Sequence, residues 1–153
     1  MRTAEHSYQV RLRPVSTAPR TARDVLAAMC VAWDAPGFLE AGRLVLSELV
    51  SNAVVHNGAQ SAQSGPDAGP AVGLELSLRG GELLMRVHDD GPELPRMAAP
   101  PRGAAGGHGL GIVSRLTESW GVDIDPRGGG KTVWCVLREH PDRSGAPSSA
   151  HQG

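Results

Sequence analysis

The side chains that could act on a substrate cluster in four short segments of this chain. The first is Arg43-Leu44-Val45-Leu46-Ser47-Glu48-Leu49-Val50-Ser51-Asn52-Ala53-Val54-Val55-His56. At ~100° per residue on a helix, Glu48, Asn52 and His56 fall inside roughly 80° of arc. Leu44 and Val55 border that stripe, Val45 lies within it and Leu49 just beyond, so three polar groups are expected in apolar surroundings. An unpaired carboxylate there is costly. Two arrangements relieve the cost: an internal hydrogen-bond network such as Glu48 with His56, or a carboxylate and an amide facing a ligand or metal.

The second segment is Leu83-Leu84-Met85-Arg86-Val87-His88-Asp89-Asp90-Gly91. On a strand, Asp89 is in phase with Leu83, Met85 and Val87, so its carboxylate continues the row that faces the core. An acceptor at a strand end can receive an exocyclic amine; equally, Asp-Asp-Gly-Pro is ordinary turn chemistry. The third segment, Gly106-Gly107-His108-Gly109-Leu110-Gly111-Ile112, opens a helix. Glycines let backbone approach closely, and the free N–H groups of a helix N-terminus attract phosphate. Its spacing is G-x-G-x-G, not the G-x-G-x-x-G of dinucleotide folds.

The fourth segment, Gly128-Gly129-Gly130-Lys131-Thr132, superficially suggests a P-loop. The first glycine such a loop requires falls on Asp125, and Val-Trp-Cys-Val-Leu after Thr132 reads as strand rather than helix. A hairpin turn fits better, with the Thr132 hydroxyl on one face with Trp134 and Val136. A metal hydrolase built from His56, His88, Asp89, Asp90 and His108 ranks below a nucleotide site, because no pair has the i, i+4 spacing of a helical zinc site. No serine or cysteine nucleophile motif is present.

The elements that must hold these groups follow from hydrophobic period. Residues 8–13 alternate and read as a strand ended by Pro14. Ala22, Val25, Leu26, Met29, Cys30 and Trp33 form one helix face, with Thr17 or Thr21 as cap and Pro36-Gly37 as stop. A second helix is expected over 39–57, closed by Gly58. Residues 58–70 read as a surface loop. A strand carrying Val72, Leu74, Leu76 and Leu78 turns at Gly80-Gly81 into a strand over 82–89. Residues 90–107 form a long binding loop or lid. A third helix is expected over 110–120 and a last hairpin over 121–125 and 131–137. The order predicts an α+β two-layer sandwich, a mixed or antiparallel sheet covered on one face by three helices. The domain spans 8–138 and 139–153 is a flexible tail.

Composition narrows the class. The chain has 153 residues and a formal net charge of −1, which disfavours a generic polyanion-binding surface. Aromatics are 3%, so Val, Leu, Ala and Met must fill the core, while 20 glycines and 12 prolines point to irregular loops. Residues 1–10 hold no apolar signal core and no stretch approaches a membrane span. Cys30 and Cys135 read as buried thiols of a reducing cytoplasm. The basic residues are arginines with one lysine, which hints at a bacterial, GC-rich source.

Together the four segments resemble the GHKL (Bergerat-fold) ATPases, and among them the anti-sigma factor serine-protein kinases of bacteria. Residues 47–56 look like the N box, Asp89-Asp90-Gly91 like the first glycine box, Gly107-His108-Gly109-Leu110-Gly111 like the second, and Gly130-Lys131-Thr132 like the final threonine motif. The resemblance covers about residues 10–137. It implies that ATP and Mg²⁺ are bound, with Asn52 coordinating the metal and Glu48 as general base. Asp89 would accept from the adenine amino group, with Thr132 supporting that contact directly or through water. Gly107, Gly109 and Gly111 would line the phosphates, Gly91 and Leu110 would also border the nucleotide, and residues 92–106 would be the lid, with Arg102 as a phosphate contact. Where the first glycine box usually reads D-x-G-x-G, Glu93 stands in place of the second glycine. No histidine-kinase dimerisation helix or transducer domain is expected. The implied partners are a sigma factor and a STAS-domain antagonist phosphorylated on serine, with no nucleic acid, no membrane, and homodimerisation left open. The alternatives are a nucleotide-gated binding module with little kinase activity and a detached histidine-phosphorylating sensor-kinase domain.

Overall fold

Among the residues that the computed structural model describes, the chain runs β1 (His6–Leu12), α1 (Ala18–Ala32), a 3-10 turn at Pro36–Phe38, α2 (Leu39–Ser61), β2 (Val72–Arg79), β3 (Glu82–Asp89), α3 (Gly109–Leu116), β4 (Ser119–Ile124) and β5 (Lys131–Arg138). Those residues are 5–61, 71–90, 109–127 and 129–139, with side chains for all but 56–61 and 109–110. The expected loop beyond residue 61, Gly91, the lid over 92–106 with Glu93 and Arg102, Gly107, His108 and the tail from 140 lie outside them.

The strands form one sheet in the order β1-β2-β3-β5-β4, and every pairing is antiparallel. The two-layer expectation holds, with the sheet antiparallel throughout. Period-two alternation decides its faces. Val72, Leu74 and Leu76 of β2, Leu83, Met85 and Val87 of β3, and Val133, Cys135 and Leu137 of β5 are buried beneath the helices. None of the described helices covers the opposite face, which is laddered with cross-strand polar pairs, among them Gln9 Nε2 to Glu75 Oε2 at 3.1 Å and Arg86 with Glu75 at 3.8 Å. The β2–β3 turn has Gly80 at φ 58° and Gly81 at φ 78°, the positive pair that suits the twist of a two-residue hairpin.

Helix α1 buries Ala18, Ala22, Leu26 and Cys30, with Val25, Met29 and Trp33 beside them, the face read from the sequence. Its stop lies earlier than Pro36: Asp34 takes φ 52° and the Ala35 N–H donates to the Cys30 carbonyl at 2.8 Å. Helix α2 buries Val45, Leu46, Leu49, Val50 and Ala53 and packs on α1, β2, β3, β5 and α3. Gly42 permits the close approach to α1, since a Cβ there would meet Leu26 Cδ2 at 2.8 Å. Arg23 Nη1 donates to Ser47 Oγ at 2.9 Å across the same interface. Contrary to expectation α2 runs through Gly58 to Ser61; one glycine in a helix costs only ~1 kcal/mol and need not end it.

The largest departure is at α3, which ends at Leu116 rather than at 120. Thr117 Oγ1 donates to the Val113 carbonyl at 2.6 Å and the Glu118 N–H donates to Val136 O at 2.8 Å, so the chain has joined the sheet by Ser119. Trp120 and Val122 then alternate against the core as β4 residues. None of the described helices is long and apolar enough to cross a membrane. Cys30 and Cys135 are buried and unbridged. Burial pushes the Cys30 thiol up, and pushes Cys135 up to about 12 despite a Met85 backbone hydrogen bond that favours its charged form.

Candidate functional site

Asp89 is the last residue of β3, and the phase of that strand turns its carboxylate to the helix-covered face in line with Leu83, Met85 and Val87. It is buried, 1% exposed. Directly opposite, in register on β5, stands Lys131. Its Nζ donates to Asp89 Oδ1 at 2.7 Å, and both side chains are only 2% exposed. The approach of the two strands depends on Gly130, which has φ +98°; a Cβ there would lie 2.1 Å from the Asp89 carbonyl oxygen and 2.8 Å from Asp90 Cα. No side chain fits that space, so the glycine lets β5 start close against the end of β3.

Thr132 is one residue further on and faces the other way. Its Oγ1 lies 3.0 Å from His88 Nδ1, and His88 Nε2 lies 3.2 Å from Asp90 Oδ1. As the sequence reading had it, Thr132 shares a face with Trp134 and Val136, but that is the open face. The structure therefore does not bring the Thr132 hydroxyl to Asp89. The residue in phase with Asp89 is Lys131, which the sequence places at the start of the last strand but to which no role was given there. Two signals pointed to it: Lys131 begins the buried row Val133, Cys135, Leu137, and it is the single lysine of the chain. The strand phase also splits the described members of the histidine–aspartate set, with Asp89 under the helices and His88 and Asp90 outside.

On the uncovered side Trp134 lies across Gly121, where a Cβ would come within 2.7 Å of the indole. Nearby a depression of about 530 Å³ is lined by Arg11, Glu75, Arg86, His88, Asp123 and Thr132. It opens on the face away from Asp89, so it is separate from the candidate site.

Glu48 and Asn52 lie one turn apart on α2. Both are half-buried, at the margin of the buried face, and not enclosed by it as the sequence pattern suggested. The residues expected to wall them in differ from one another: Val45 and Leu49 are buried, whereas Leu44 is 52% and Val55 73% exposed. Glu48 and Asn52 thus border both the core and the solvent, as groups meeting a ligand at a cleft edge must. A carboxylate and an amide oxygen are the hard donors that Mg²⁺ prefers. His56 lies on the same helix. Helix α2 packs directly on β3, so the two polar sets belong to the same helix-facing layer. Gly109 opens α3, Leu110 follows, and Gly111 is exposed, with nothing among the described residues within 4 Å of where a Cβ would stand.

Comparison with known proteins bears on the family and the fold. The family model for histidine kinase-, DNA gyrase B-, and HSP90-like ATPases matches residues 40–141. Among solved structures, the crystal structure of the RsbU and RsbW domains of Rv1364c from Mycobacterium tuberculosis is similar, with a TM-score of 0.62 and 20% identity over 88% of this chain. This chain spans 32% of that one, and at such identity the likeness concerns the fold. No curated protein matches the sequence.

Proposed function

The chain belongs to the histidine kinase-, DNA gyrase B-, and HSP90-like ATPase family, and from that membership we propose that it binds ATP with Mg²⁺ and works as a bacterial, cytoplasmic protein-serine kinase of the anti-sigma factor type. In this reading the domain of residues 8–138 binds a sigma factor and transfers the γ-phosphate to a serine of a STAS-domain antagonist. The observation that most supports it is the pairing of half-buried Glu48 and Asn52, one turn apart on α2, with Asp89 buried at the end of β3 on the same side of the sheet.

Asn52 holds Mg²⁺ through its amide oxygen. Glu48, one turn earlier, takes the proton of the attacking serine hydroxyl. Asp89 accepts from the adenine amino group. Gly107, Gly109 and Gly111 bring backbone N–H groups to the phosphates, bordered by Gly91 and Leu110, and the dipole of α3 favours the negative charge there. Bound Mg²⁺ supplies neutralisation of phosphate charge; the protein otherwise contributes positioning and one base, which is most of what phosphoryl transfer requires.

Mg-ATP at about 100 times its Kd is expected to add ~2.7 kcal/mol to stability, or roughly 5–10 °C in Tm for a chain of this size. No shift with any adenine nucleotide would refute the ATP-binding reading. Glu48→Gln is expected to keep that shift while losing serine labelling of a matched antagonist. If the wild type binds Mg-ATP yet labels no serine, the protein is a nucleotide-gated binding module instead.

A further inference from the structure

Taking the base-binding reading of Asp89 as premise, we propose that Lys131 is a second base-reading residue, donating to ring nitrogen N1 of the purine whose exocyclic amine Asp89 accepts. The Watson–Crick edge of adenine presents a donor, the 6-amino group, beside an acceptor, N1. The ends of β3 and β5 present the complementary order: a carboxylate acceptor and an ammonium donor, 2.7 Å apart on one face and in one register.

Two further observations favour recognition over structural support. A buried ion pair is a weak stabilising device, since a hydrophobic pair of similar volume usually serves stability as well or better. And of the 15 lysine and arginine residues Lys131 is the sole lysine. Arginine is the usual choice for a buried pair, because its fork engages both carboxylate oxygens. An ammonium is compact and carries three donors, so its bond to Asp89 Oδ1 does not preclude a bond to a flat base lying beside the pair. Burial of both groups from water strengthens such a charge-assisted bond. The Gly130 backbone, fitted against Asp89 and Asp90, fixes where the lysine stem begins.

The test needs no variant. Titration of the intact protein with ATP and with 1-deaza-ATP, whose N1 is replaced by C–H, is expected to show about ten- to a hundred-fold weaker binding of the analogue, the loss for a hydrogen bond to a charged donor. Labelling with ¹⁵N-lysine gives a single side-chain resonance, which is expected to shift on saturation with ATP and markedly less with the analogue. Lys131→Met is expected to bind ATP more weakly and to treat both nucleotides alike. Equal affinity of the wild type for the two nucleotides, or a lysine resonance unmoved by ATP, overturns the assignment, as does tighter ATP binding by Lys131→Met, which would make the lysine a plug. Binding of neither nucleotide is a distinct result, and it removes the premise that Asp89 meets a base.

Discussion

Two neighbouring rungs of the β3–β5 ladder carry similar chemistry into opposite environments. In one, Asp89 faces Lys131, both buried beneath the helices; in the other, His88 faces Thr132 on the opposite face, joined by Asp90 and part-exposed. The residues are adjacent in sequence, and only the two-residue period of a strand separates them. The difference teaches that, at a strand end, the side of the sheet decides what a polar residue can do. On the buried side a mismatch costs several kcal/mol, and on the open side water absorbs it.

Breaking the buried rung should have the largest consequence. Asp89→Ala removes the carboxylate from a buried ion pair and is expected to cost about 3–5 kcal/mol in urea unfolding. A value below about 1 kcal/mol would mean that the two rungs are equivalent after all. Gly130→Ala attacks the backbone shared by both rungs and is expected to cost roughly 1–3 kcal/mol through its positive φ, with further loss from the clash at the Asp89 carbonyl; unchanged stability would show that this approach is not constrained.

A pH series sharpens the contrast along β5 itself. The Cys135 thiol, on the same face as Lys131, has its folded pKa raised from 9.0 to about 12. The folded state keeps a proton that the unfolded chain loses, so this stabilisation is complete below pH 9 and falls between pH 9 and 12, by about 1.4 kcal/mol per unit. Stability measured from pH 8 to 10 in wild type and Cys135→Ala should differ in slope with that sign. Smallest of all, Thr132→Val on the open rung is expected to change stability by less than about 1 kcal/mol and leave ATP affinity unaltered. A tenfold loss of affinity would return the threonine to the base site.

Much of this was legible in the residues. The row Leu83, Met85, Val87, Asp89 fixed both the bounds of β3 and the direction of its terminal carboxylate, because a strand has only two faces. The α1 stripe was equally clear. The misses arise where local pattern yields to tertiary contact. Nothing nearby indicates that Thr117 will bond back to Val113 and release the chain to pair through Glu118 with Val136, so the helical period was extended four residues too far. The margin position of Glu48 and Asn52 depends on which flank of α2 meets the sheet, and apolar Leu44 and Val55 gave the wrong cue by lying exposed. Lys131 was overlooked for a different reason: a motif ending in threonine drew notice to the hydroxyl, although the alternation of Val133, Cys135 and Leu137 already put the lysine, and not the threonine, on the face of Asp89.

The strand order has a kinetic consequence. Two of the four pairings, β2 with β3 and β4 with β5, are hairpins that can zip locally. The other two span long stretches of chain, and the pairing of His6 with Leu78 at the sheet's rim closes the longest. Loop closure must precede the reward for such contacts, which slows them. Of the two edge strands among the described residues, β1 closes the longer stretch of chain, so it is expected to dock late in folding and to exchange its backbone amides early, as hydrogen exchange would show.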